Sequence, residues 1–269
     1  METPNDLKEL VRQKYGEIAA GQNSCCSPSC CGSVESKAEV YNIMSESYEQ
    51  LEGYNPDADL GLGCGLPTQY ARIRRGDTVL DLGSGAGNDC FVARQEAGEE
   101  GRVIGLDFTP EMVGRARENA GKLGYSNVEF IQGDIEQMPI PASTADVVVS
   151  NCVLNLVPGK KQAFSEIFRV LKPGGHFSIS DIVLAGELPP QLKNAAEMYA
   201  GCVAGAIQKE DYLSMIRDAG FEGVEIQKEK VITVPRDILL DYLSQEELEV
   251  YQKGGAGIFS ITVFGRKPE

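Results

Sequence analysis

From Thr78 onward the chain alternates between short β-branched runs and longer helical ones. TVLDLG, RVIGLDF, VEFIQGD, ADVVVSNC and HFSISDIVL are the extended runs; NDCFVARQEAG, PEMVGRARENAGKLG and KKQAFSEIFRVLKPG stand between them. Such a β-α-β-α series dictates a parallel sheet with helices on both faces. The extended runs are mostly apolar, as strands buried on both sides must be. Two further runs, GVEIQKEKVITV and GIFSITVFGRK, are separated by a helical stretch and are expected to pair antiparallel at the sheet edge. The sum is an α/β fold with a mostly parallel, seven-stranded sheet and an antiparallel edge strand.

The rest of the chain departs from this rhythm. Residues 1–60 are polar and irregular, with helical patterns at 5–20 and 36–51 around the turn CCSPSCC, and read as an N-terminal helical, cysteine-rich arm. Residues 61–269 hold the sheet domain, interrupted at about 185–208 by LPPQLKNAAEMYAGCVAGAIQ, a helix followed by a small-residue loop. KEDYLSMIRDAG then reads as a helix with a glycine stop. A net charge of −15 disfavours nucleic acid and anionic membranes as partners. No apolar run approaches the ~18 residues of a spanning helix. The first residues lack the apolar core of a secretory signal, so a cytoplasmic protein is expected. In that reducing compartment clustered cysteines point to metal binding or redox work rather than to disulfide staples.

The first strand runs into DLGSGAGND. Gly83, Gly85 and Gly87, with Ser84 among them, form a turn at the carboxyl end of the strand, where open α/β sheets bind ligands. The spacing G-x-G-x-G, with Asn88 next, is not the dinucleotide fingerprint. Asp81 inside the motif would oppose a pyrophosphate, so an amine-bearing or cationic ligand fits better. Asp107 ends the second strand, where a carboxylate can accept from both ribose hydroxyls, and Asp134 stands at the tip of the third. Over roughly residues 70–266, including the LKPGG turn at 171–175, this set resembles the class I S-adenosylmethionine-dependent methyltransferases, a Rossmann-like fold. The resemblance implies that the glycine turn contacts the methionine part of the cofactor. It implies that Asp81 holds the amino group, Asp107 the ribose and Asp134 the adenine amine. By the same likeness Phe108 and Met112 flank the rings, Ile135 offers a backbone amide to adenine, and Asn151 lines the methyl end.

Methyl transfer to oxygen or nitrogen usually wants a base. The only histidine, His176, lies before the fifth strand and reads as structural. Cysteines are better placed. Cys152 ends the fourth strand, Cys64 sits in the glycine-rich LGLGCGLPT, and Cys202 sits in YAGCVAGA of the insertion. Each alone also fits a buried apolar thiol, and Cys90, on the first helix, fits that reading best. Three separated thiols near a methyl donor suggest a soft ligand. LGLGCGLPT, LDLGSGAGNDCF, SNCVLNL, YAGCVAGA and the N-terminal YGEIAAG…SCC together resemble the arsenite S-adenosylmethionine methyltransferases.

That resemblance implies trivalent arsenic, as arsenite or its thiol adducts, held by Cys64, Cys152 and Cys202 and methylated at its lone pair. It also implies a thiol reductant, thioredoxin or glutathione, resetting the thiols between steps. Cys25, Cys26, Cys30 and Cys31 become candidates for the redox relay. Two other readings stay open. One is a methyltransferase for a small organic acceptor, quinone- or sterol-like; the other is a non-catalytic thiol protein that binds metalloid.

Overall fold

The computed structural model describes residues 4–19, 46–189, 203, 205–233, 236, 239–240, 243–253 and 256–269. The cysteine-rich turn at 25–31 and Cys202 lie outside them. The described strands are β1 (Thr78–Leu82), β2 (Arg102–Asp107), β3 (Val128–Gln132), β4 (Ala145–Asn151), β5 (Leu171–Ala185), β6 (Glu222–Ile232) and β7 (Gly257–Arg266). The described helices are α1 (Pro4–Ala19), α2 (Pro67–Tyr70), α3 (Asn88–Ala97), α4 (Pro110–Leu123), α5 (Lys160–Val170), α6 (Lys209–Asp218) and α7 (Gln245–Lys253).

The seven strands form one sheet in the order β3-β2-β1-β4-β5-β7-β6. The first five pair in parallel, and β7 runs antiparallel to both neighbours. The reversed strand therefore sits one place in from the edge, and β6 closes that side. The long ladder from His176–Arg266 to Ala185–Gly257 holds β7 in place.

Strand parity assigns the core. Leu80 and Leu82 of β1 face one layer with Ile104, Leu106, Phe164, Phe177 and Tyr212. Val79 faces the other, with Phe91, Val103, Phe130 and Val147. A third buried cluster stands at the carboxyl end of the sheet and joins Cys64 and Cys152 to Ile182, Leu184, Val203, Ala206 and Ile258.

The N-terminal arm differs in part from its expected form. Residues 4–19 are helical, as the 5–20 pattern predicts. Residues 46–51, within the helical pattern at 36–51, instead enter a turn in which the Leu51 N–H donates to the Tyr48 carbonyl at 2.8 Å. Tyr48 turns inward there and is buried with Leu66 and Val92. Among the described residues no helix is long and apolar enough to cross a membrane.

One close approach fixes the distance between β2 and the turn after β1. A side chain added at Gly105 would bring its Cβ to 2.5 Å from the Phe130 ring and 2.8 Å from Ser84 Oγ. Gly105→Ala is therefore expected to lower stability by about 1–3 kcal/mol, the usual cost of overpacking. Urea denaturation followed by circular dichroism measures it; an unchanged midpoint would show that the layers are not in contact.

Candidate active site

The strand order reverses between β1 and β4, and a cleft opens there at the carboxyl ends of the strands. It is continuous with solvent. The glycine turn forms one wall. Gly83, Gly85 and Gly87 have φ of +68°, +51° and +101°, a left-handed backbone that residues with a Cβ resist. A Cβ at Gly85 would meet no atom within 4 Å, so this residue presents bare backbone to open space. Among the described residues Ser84 Oγ has no hydrogen-bond partner, and it is buried.

Asp107 ties the turn to β2. Its Oδ2 accepts the Gly85 N–H at 2.9 Å and its Oδ1 the Thr109 N–H at 2.8 Å. Burial raises its carboxyl above the ordinary range, and these backbone bonds oppose the rise. The Thr109 side chain and the Phe108 N–H also bond to this carboxylate. Phe108, Met112 and Ile135 supply apolar wall, and Asp134 stands beyond them. Lys8 of α1 pairs with Asp134 at 2.6 Å and also with Glu136. Helix α1 thus lies along the cleft, lining it with Lys8, Val11 and Tyr15.

One expectation about the acids is revised. Asp81 does not line the cleft. Parity puts it on the face of β1 covered by α3, where it is buried and accepts the Cys90 S–H at 3.2 Å. Burial, and next the nearby Asp89 charge, push its carboxyl well up. Cys90 is buried in the apolar cluster with Phe91 and Phe130, as expected, and its S–H in addition donates to the Asp81 carboxylate. The acid that does face the cleft beside the turn is Asp89, in the first turn of α3. Its position just past the glycines, at the positive end of a helix, was the available signal for it. Tyr48 donates its O–H to Asp89 Oδ2 at 2.8 Å, and Asn151 Nδ2 donates to the same oxygen at 3.3 Å. Burial pushes the Asp89 carboxyl up to about 6 against those two bonds. Nothing in the sequence around Tyr48 or Lys8 marks either as a cleft residue.

Cys152 and Cys64 belong to one buried apolar cluster. Cys152 lines the cleft, and its backbone is held left-handed at φ +61° while its N–H donates to the Ser180 carbonyl at 2.8 Å. Cys64 is fully buried behind it in the same apolar cluster. Its N–H donates to Asn151 Oδ1 at 3.0 Å, and its carbonyl accepts from Ser260 Oγ at 2.6 Å. Val203, the chain neighbour of Cys202, is in that cluster too. Gly87 contributes shape rather than lining: a Cβ there would meet the Phe91 and Phe130 rings at 2.8 and 2.9 Å. His176 sits far along β5 from the cleft residues, with Nε2 2.6 Å from the Ala71 carbonyl oxygen and its ring beside Phe264.

The cleft suits S-adenosylmethionine. It offers open backbone at Gly85, an unpartnered hydroxyl at Ser84, carboxylates at Asp89, Asp107 and Asp134, and an apolar slot between them. Residues 73–220 match the family model of a methyltransferase domain. The arsenite methyltransferase of Halobacterium salinarum is 40% identical over 274 residues, spanning 98% of this chain and 68% of that one. A ubiquinone/menaquinone biosynthesis C-methyltransferase of Salmonella paratyphi B is 31% identical over 211 residues, or 70% of this chain and 83% of that one. Among solved structures, an arsenic(III) S-adenosylmethionine methyltransferase from Chlamydomonas reinhardtii superposes with a TM-score of 0.65 at 34% identity, covering 84% of this chain and 72% of that one.

Asp89 carries a measurable electrostatic cost. Its folded value of about 6 exceeds the ~3.9 of an unfolded aspartate. The native state binds that proton more tightly, so the carboxyl's contribution is present below pH ~4 and lost as pH rises through about 6. Asp89→Asn, which cannot ionise, is expected to raise the stability of the cofactor-free protein at pH 8 by up to about 3 kcal/mol, with the gain vanishing toward pH 4. Thermal denaturation across that range reads the difference; a gain independent of pH would assign the titration elsewhere.

Proposed function

The chain belongs to the arsenite methyltransferases, S-adenosylmethionine-dependent enzymes, and we propose that it methylates trivalent arsenic held by its cysteine thiolates. The observation that carries this reading is that Cys152, which lines the cleft, shares one buried apolar cluster with Cys64. Cys202 completes the proposed ligand set. Thiolates suit a soft centre, and an apolar surround keeps water from it.

Bound S-adenosylmethionine supplies a methyl group on a sulfonium sulfur. Asp107 would hold its ribose, Asp134 its adenine amine, and the turn from Gly83 to Gly87 its amino-acid part, with Phe108, Met112 and Ile135 around the ring. The thiolates hold arsenic in a pyramid with its lone pair free to take the methyl group. No side chain needs to act as base at that step, which accords with the absence of histidine from the cleft lining. Orientation and exclusion of water are the protein's contribution. Transfer leaves pentavalent arsenic. Two electrons from a thiol pair return it to the trivalent state as a disulfide forms, and a thiol reductant such as thioredoxin or glutathione resets the pair by exchange.

The quinone-type relative makes a carbon acceptor the second reading, and the thiols separate the two. Incubated with arsenite, a thiol and S-adenosylmethionine, the protein is expected to yield methylated arsenic by mass spectrometry. Cys152→Ser and Cys202→Ser should each abolish both arsenite binding and that product, because the two thiolates that remain cannot complete the pyramid that holds trivalent arsenic. Methylated arsenic surviving either replacement would overturn the thiolate scheme; no methylated arsenic from the unaltered protein would favour an organic acceptor.

We read residues 1–60 as an arm serving the catalytic domain, its CCSPSCC turn a redox relay. Replacing Cys25, Cys26, Cys30 and Cys31 together by serine should leave arsenite binding and a first turnover intact. Sustained turnover with thioredoxin should fall sharply; undiminished multiple turnover would remove the turn from the cycle.

A further inference from the structure

We propose that Asp89 is the acceptor for the cofactor's α-ammonium group, and that Tyr48 and Asn151 couple this contact to the loop presenting Cys64. The inference deepens the cofactor reading above and rests on it.

Asp81, the acid within the glycine motif, is turned away from the cleft and engaged by Cys90. The remaining cleft carboxylates differ in what already holds them. Asp134 is paired with Lys8. Asp107 is bound by two backbone N–H groups. Asp59 accepts the Gly61 N–H at 2.9 Å in a local turn and is also hydrogen-bonded to Tyr54. Among the described residues Asp89 is held only by neutral donors, a phenol and an amide, and no cation pairs with it. It is partly open to the cleft beside the bare backbone of Gly85. An ionised carboxylate in that position calls for a cation with several N–H donors, which an α-ammonium is.

The amide of Asn151 then links two sites. Its Nδ2 reaches Asp89 Oδ2 at 3.3 Å, the Tyr48 oxygen at 2.5 Å and the Gly65 carbonyl at 2.8 Å. Its Oδ1 accepts the Cys64 N–H at 3.0 Å. One side chain thus grips the backbone on both sides of the Cys64 side chain while touching the carboxylate that faces the cofactor. There is no slack: a Cβ at Gly63 would stand 2.6 Å from Asn151 Nδ2. Filling Asp89 with an ammonium fixes the carboxylate, the amide and hence the Cys64 loop. Cofactor and arsenic should therefore bind with positive linkage, reciprocal in both directions.

Calorimetry with S-adenosylhomocysteine and 5′-methylthioadenosine tests the first half. The second ligand has the adenosine and thioether but no ammonium. Asp89→Asn should weaken S-adenosylhomocysteine about ten- to a hundredfold and leave 5′-methylthioadenosine within about twofold, in a protein that is more, not less, stable at pH 8. Asp59→Asn should leave both ligands unaffected. Equal loss of both ligands, no loss, or loss with Asp59→Asn instead would overturn the assignment. Wild-type protein binding neither ligand would overturn the cofactor reading itself, and this proposal with it.

Equilibrium dialysis with arsenite tests the second half. Saturating S-adenosylhomocysteine should tighten arsenite binding several-fold in the wild type, and Tyr48→Phe should lose most of that gain while still binding arsenite. Independence of the two ligands in the wild type would refute the coupling.

Discussion

Everything at the cleft depends on how the turn after β1 is fastened to the end of β2. The N–H groups of Gly83 and Ser84 both donate to the Leu106 carbonyl, at 2.7 and 3.1 Å, and the Gly85 N–H continues onto the Asp107 carboxylate. Three consecutive amides are thereby turned toward the neighbouring strand, which only a left-handed backbone at the glycines allows. Gly105 supplies the room underneath. Once the turn is fixed, α3 starts where it must, Asp89 faces the cleft, and the opening between β1 and β4 has a rigid wall.

The fold was legible in the sequence because its period is written in every layer. Buried parallel strands read as apolar runs, and the helices between them show their own spacing, so both sheet and strand number follow. The position of β7 inside β6 was not legible, since a pattern of alternation says that two strands pair but not which of them meets β5. The helix expected at 36–51 also fails where it is described, because Tyr48 is drawn under Leu66 by tertiary contact that no local pattern announces.

The site was legible in composition but not in orientation. A motif puts Asp81 and the glycines at one strand end, yet the period of two along β1 sends Val79 and Asp81 to the α3 face, away from the cleft. Counting parity from Leu80 and Leu82 would have given that answer. Cys64 and Cys152 were legible as odd residues in glycine-rich or strand-end settings, and the structure adds that they share one cluster. Lys8 and Tyr48 come from an arm whose residues carry no pattern beyond an amphipathic helix. Their role depends on where the arm lies, which is set by long-range packing along the cleft.

The left-handed backbone of Cys152 sets thermodynamics against lineage. At φ +61° a residue with a Cβ is strained, and glycine or asparagine would sit there more comfortably. Random drift under selection for folding alone would tend to replace this cysteine and gain stability by doing so. A thiol at such a position is a standing expense of the fold, and the thiolate role proposed above would account for it.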